Sequence, residues 1–185
     1  MPDAGRWDAV RIDGPGFVLR RWRSDDLDAL LRHAGDPAIN RGLSDRFPHP
    51  YTRADGEAFL AGRVVDLTQP VLAIEIDGDA CGSIGVRHVA TGERAHMAEL
   101  GYWLGRVHWN RGVMRQVVAR YVPWVMEALA LDRLQAEVLD SNPASARVLQ
   151  LNGFAEEGRL RGAIRKADGL HDLRVFGLLR GAAGS

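Results

Sequence analysis

Residues 98–117 constrain this chain more than any other stretch. Ala98-Glu99-Leu100-Gly101-Tyr102-Trp103-Leu104 reads as a strand, a short polar turn with glycine and arginine follows, and a long apolar-periodic helix begins after Gly112. A helix N-terminus carries about half a positive charge and several unpaired N–H donors, so it favours a phosphate or pyrophosphate. Gly112 has no Cβ and lets a ligand approach the backbone closely. Arg111 and Arg115 add charge on either side. The same unit also serves as a plain structural crossover in many folds, so the rest of the chain has to decide.

The helix after Gly112 carries Val113, Val117, Tyr121, Trp124, Val125 and Ala128 on one face, the spacing of a helix packed on a sheet. Pro123 lies inside it and is expected to kink it near Ala119. Leu134 to Val138 reads as the next strand, and strand–helix–strand over this length implies a right-handed crossover and a parallel pair. Elsewhere the links are short. Val71–Ile76 and Cys81–Val86 flank an Asp77-Gly78-Asp79 hairpin turn, and Met97–Leu104 follows a polar loop, which suggests an antiparallel meander. Upstream, Phe17–Trp22 is a first strand, Ser24 suits an N-cap, and Leu27, Leu30 and Leu31 form a helical stripe that ends near Gly35. Asp36-Pro37 starts a short helical turn, and Phe47-Pro48-His49-Pro50 is a break. Thr52 with Asp55 resembles a capping box, with Ala58, Phe59 and Val65 continuing that helix. Downstream, Asn142-Pro143 opens a short helix with Val148, Leu149 and Leu151 inward and Gly153 at its end. Phe154–Leu160 and Leu173–Leu179 read as a last antiparallel pair. The expected organisation is a loose lead-in over 1–15, one domain over 16–180 and a short tail over 181–185. Its class is mixed α/β.

With 185 residues, 24 basic and 24 acidic, the chain has no overall field for nucleic acid or an anionic membrane. No apolar run approaches the roughly 20 residues that cross a bilayer, and the N-terminus lacks a signal-peptide core. The lone Cys81 can form no internal disulfide, which fits a reducing, cytoplasmic setting. No Cys/His/carboxylate spacing points to a metal. His33 and His108 stand alone in sequence and read as structural or surface residues.

Two motifs stand at a telling distance: Trp109-Asn110-Arg111-Gly112-Val113-Met114, and Asn142-Pro143-Ala144-Ser145 leading to Asn152-Gly153-Phe154. With the strand order, they resemble the GNAT superfamily of acyl-CoA-dependent N-acetyltransferases. More narrowly, the Glu-Leu-Gly-Tyr-Trp-Leu strand and the Asn-x-x-Ser…Asn-Gly-Phe element resemble the branch of bacterial ribosomal-protein N-terminal acetyltransferases. The resemblance covers about residues 16 to 180. It implies a mostly antiparallel central sheet with one parallel pair at a splayed strand, flanked by helices, and acetyl-CoA as co-substrate. It implies that backbone amides from Trp109, Asn110, Arg111, Gly112, Val113 and Met114 bind the coenzyme A pyrophosphate, with Arg115 beside them. The strand carrying Trp103 and Leu104 would pair with the pantetheine arm, as an added strand does. Asn142 and Ser145 fall where the family meets the cofactor or its thiol. Two positions depart from the usual pattern: Trp109 replaces a Gln or Arg, and Met114 a Gly or Ala. Neither removes a backbone donor.

The implied reaction is attack of a neutral amine on a thioester. A lysine amine costs about 4.6 kcal/mol to deprotonate at pH 7, an α-amine only about 1 kcal/mol, which favours N-terminal acetylation; the expected acceptor is a protein N-terminus or a small amine. Glu99 stands where the branch carries a carboxylate and is the candidate base; its alternative is a solvated or ion-paired strand glutamate. An amide near Leu104 is placed for the oxyanion. Leu149 occupies the place of the superfamily's tyrosine acid, which leaves Ser145 as donor to the leaving thiolate or merely as a helix-capping residue. Those departures keep a second reading open, an acyl-CoA-binding module without turnover. Dimers are common in the branch, and the apolar final strands suit a two-fold homodimer.

Overall fold

The computed structural model describes residues 5–43 and 47–181. Its strands are β1 (Arg11–Gly14), β2 (Phe17–Arg21), β3 (Leu72–Ile76), β4 (Asp79–His88), β5 (Met97–Leu104), β6 (Arg133–Leu139), β7 (Ala155–Lys166) and β8 (Gly169–Leu179). Its helices are α1 (Leu27–Ala34), α2 (Pro37–Arg41), α3 (Arg53–Leu60), α4 (Val113–Ala128) and α5 (Pro143–Leu151). The sheet order is β1-β2-β3-β4-β5-β6-β8-β7. It is mostly antiparallel, and β5 and β6, the strands joined through α4, run parallel. That is the crossover expected from strand–helix–strand spacing. The parallel register covers Met97–Glu99 against Arg133–Gln135, although both strands continue beyond it.

The chain forms two compact units, one of residues up to Gly85 with Tyr102–Val117, the other of Val86–Gly101 with the residues from Val118 on. In the first, Trp22, Ala29, Leu30, Phe59, Val71 and Ala73 build a core, with Phe47, Tyr51 and Trp103 packed against it. Trp22 meets Phe59 edge-on, at 5.2 Å between ring centres. Beside this core lies a buried ion cluster. The Arg20 guanidinium donates to both oxygens of Asp26, at 2.8 and 2.7 Å, and also to Glu75. Burying such a cation is costly unless it is paired and hydrogen-bonded, as it is here. Asp26 also accepts from the Arg23 N–H at 2.8 Å, so the carboxylate organises the chain between β2 and α1. In the second unit, Tyr121, Val125, Leu131, Leu134, Leu149 and Phe176 are buried side chains. Each such burial contributes about 1.5–3 kcal/mol.

Several expectations are corrected. Ser24 does not cap α1: it opens a 3-10 turn, Ser24–Asp26, and Asp26 follows as the residue before α1, its carboxylate accepting from the Arg23 N–H at the start of that turn. Residues 11–14 of the lead-in form β1, and Trp7 is buried with its Nε1 donating to Thr68 O at 2.9 Å. α3 ends at Leu60, so Val65 lies outside it. Leu151 is 43% exposed; Ala146 takes the inward place beside Leu149. The final hairpin is longer than its apolar runs indicate, because β7 and β8 continue through charged residues to Lys166 and Gly169.

Candidate active site

In the first unit, β5 ends at Leu104 and a 3-10 turn, Arg106–His108, leads towards α4. Gly105 N–H donates to Cys81 O at 2.7 Å, and His108 N–H donates back to Gly105 O at 3.0 Å. Asn110 and Gly112 then adopt left-handed φ values of 57° and 72°. Two such residues one apart bend the chain sharply just before α4. Gly112 has nothing within 4 Å of where a Cβ would stand, so its requirement is conformational and it leaves the backbone open. The N–H groups of Val113 and Met114, in the first turn of α4, have no acceptor within the helix. Arg111 and Arg115 are exposed beside them. The predicted turn is thus assembled from one continuous segment.

Trp109, the departure from the usual pattern, has a structural consequence. Its Nε1 donates to Leu104 O at 2.6 Å, and the residue is 40% exposed. The indole closes the loop onto the last carbonyl of β5. Trp103 is half-buried and meets Phe47 at 5.6 Å, which in turn stacks on Tyr51 at 5.1 Å. Burial pushes the Tyr51 hydroxyl up to about 12, with Asp55 adding to it. Burial likewise pushes the Cys81 thiol up to about 12, which makes it an inert core residue.

The histidines that looked solitary in sequence are neighbours. Their ring centres are 5.9 Å apart. His33 Nε2 lies 3.0 Å from Asp79 Oδ2, and Arg32 holds the other oxygen at 2.5 Å. The Asp79 carboxyl is held below the usual range, chiefly by Arg32 and then by His33, against a cost from burial. The His108 imidazole is pushed down by burial first, then by His33 and Arg111.

In the second unit, Glu99 is ion-paired with Arg87, and its side chain is 38% exposed. The ion-paired alternative for this residue is therefore present in the structure. Sequence reading did not find Arg87, yet a signal existed: Arg87 and Glu99 lie six residues either side of Glu93, the middle of the loop between β4 and β5. Asn142 accepts from Ser145 N–H at 3.1 Å, capping α5 as expected. Leu149 is fully buried, so the helix face there is core. Among the described residues, no group of three His, Cys, Asp or Glu stands close enough to hold a metal ion, and no helix is long and apolar enough to cross a membrane.

Comparison with known proteins places this geometry. The model of the acetyltransferase (GNAT) domain family matches residues 17–155. Over 171 residues the chain is 26% identical to the uncharacterized N-acetyltransferase p20 of Bacillus licheniformis, covering 89% of this chain and 93% of that one. Over 79 residues it is 30% identical to the ribosomal-protein-serine acetyltransferase of Escherichia coli K12, covering 43% of this chain and 44% of the other. Among solved structures, Mycobacterium smegmatis RimJ in complex with CoA-disulfide matches with a TM-score of 0.80 at 21% identity, covering 95% of this chain and 88% of that one. The chain belongs to the GNAT acetyltransferase family, and its relatives include ribosomal-protein acetyltransferases. It is an N-acetyltransferase with acetyl-CoA as donor.

Proposed function

We propose that this enzyme transfers the acetyl group of acetyl-CoA to a primary amine of low pKa, a protein N-terminal α-amine or a small amine. The observation that carries the reading is the turn before α4, with left-handed Asn110 and Gly112 opening directly into the helix. In this reading the amides of Trp109 to Met114 hold the diphosphate, helped by Arg111 and Arg115. The end of β5, at Trp103 and Leu104, lies along the pantetheine arm, and an amide near Leu104 receives the developing oxyanion. Glu99 accepts the amine proton, directly or through a water, while Arg87 holds its carboxylate in one orientation. Ser145 donates to the departing thiolate, and Asn142 presents its amide edge to the cofactor while capping α5. The α-amine is favoured because it is neutral far more often at pH 7 than a lysine side chain.

Thiol release from acetyl-CoA, measured with free N-terminal peptides, N-blocked lysine peptides and small amines, tests this reading. The expected result is turnover with free α-amines or small amines of low pKa. Cofactor that binds but never turns over above hydrolysis with any acceptor overturns it. Ser145→Ala should lower turnover with little effect on acetyl-CoA affinity; an unchanged rate removes the serine from the mechanism.

A further inference from the structure

The cluster of His33, Asp79 and His108 is used by no step above, and its geometry is specific. The His33 ring lies against Gly105: a Cβ added there would overlap His33 Nδ1, and would stand 3.1 Å from Cys81 O. The same ring faces His108 at 5.9 Å. Gly105 and His108 are the two ends of the 3-10 turn, closed on each other by the His108 N–H to Gly105 O bond of 3.0 Å. One imidazole therefore touches both ends of the segment that leads from β5 into the left-handed residues Asn110 and Gly112. The imidazole is itself fixed, being 11% exposed at its side chain and bonded to Asp79 at 3.0 Å. Asp79 is in turn held by Arg32, the residue next to His33 on α1. The side chains on the last turn of α1 and the first residue of β4 thus form a bracket against the turn.

We propose that His33, oriented by Asp79, is a positioning residue that sets the β5–α4 turn for the diphosphate of acetyl-CoA. This rests on the reading that the turn binds that diphosphate. Small errors matter at such a site, because a displaced set of amides loses several charge-assisted hydrogen bonds at once. The bracket touches no reacting atom, so its effect appears in recognition of the diphosphate and leaves recognition of the pantetheine arm unchanged.

The test is calorimetric affinity for acetyl-CoA and for S-acetylpantetheine, which lacks the diphosphate, the weaker ligand being read by competition. Wild type is expected to prefer acetyl-CoA strongly. His33→Ala should reduce that preference about tenfold or more while affinity for S-acetylpantetheine stays within about twofold. His33→Gln, whose amide can still reach Asp79, should recover most of it. Asp79→Asn, which leaves the ring on Gly105 but weakens its anchor, should fall between, and it decides the matter if His33→Ala does not fold. A wild-type protein that binds both ligands equally overturns the underlying reading of the turn. A wild type that discriminates, with His33 and Asp79 variants that discriminate equally well, overturns the bracket alone.

Discussion

Two helix N-termini in this molecule begin from similar raw material and end differently. α5 opens with Asn142 and Pro143, and the Asn142 side chain accepts from Ser145 N–H at 3.1 Å. Its end is closed by its own cap. α4 opens after Gly112, which has no side chain to offer, and the preceding residues are bent by positive φ at Asn110 and Gly112. There the first turn lies beside two exposed arginines. In the proposed reading, a helix dipole serves a ligand where no side chain caps it. A strong capping residue supports local stability; its absence leaves donors for something that arrives later.

Four experiments would break or sharpen that contrast. The largest effect is expected from Glu99→Gln, which touches neither helix end: turnover should fall about 10²–10⁴-fold with acetyl-CoA affinity intact. Loss of affinity instead would show that the strand carboxylate supports binding. Next is Gly112→Val, which forces a β-branched side chain into a φ of 72°. Strain of about 1–3 kcal/mol should weaken acetyl-CoA binding by roughly ten- to a hundredfold; an unaffected Kd would end the claim that α4 is the open terminus. Asn142→Ala should cost about 1 kcal/mol of stability in denaturant unfolding, with a smaller loss of acetyl-CoA affinity than Gly112→Val, because one amide contact to the cofactor goes with the cap. A loss as large as that of Gly112→Val would erase the contrast, because the capped terminus would then bind as strongly as the other.

The smallest effect concerns pH. The His108 imidazole has its pKa lowered in the folded protein by burial, His33 and Arg111. The unfolded chain then binds more protons than the folded one just below the ordinary histidine range, so this group makes the free protein less stable as pH falls. A bound diphosphate would push the pKa back up and recruit a proton. Acetyl-CoA affinity should therefore rise, by less than about tenfold, as pH falls from about 8 to 6. Calorimetry in buffers of different ionisation heats would read the proton uptake, and His108→Gln should abolish it. No uptake in wild type would mean the imidazole is remote from the ligand charge.

Much of the fold was legible because its signals are local. The strand–turn–helix–strand unit around Gly112 follows from apolar periodicity and one glycine, and the Asn142-Pro143 start of α5 follows from capping chemistry. The Thr52–Asp55 capping box was readable for the same reason, with Asp55 N–H reaching Thr52 Oγ at 3.3 Å. Misreadings arose where a distant partner outbid a local preference. Ser24 is a good cap in isolation, yet it opens a 3-10 turn, and Asp26, held by Arg20, ties that turn to the Arg23 N–H. Leu151 fits the helical stripe of α5 but is exposed, since a stripe gives a face and not the depth of what covers it.

The candidate site divides along the same line. Residues 109–114 could be found by reading along the chain, because backbone donors at a helix start are a property of consecutive residues. The Trp109 indole on Leu104 O and the His33–Asp79 bracket could not, because each joins groups whose meeting depends on strand and helix placement. Sequence by itself determined most of the elements and which helix begins after a glycine with no side chain to cap it, since periodicity, proline and glycine act within a few residues. Tertiary structure alone decided which charges are neutralised, which histidines become neighbours and what braces the turn, since those interactions need atoms within a few ångströms and the chain brings them there only by folding.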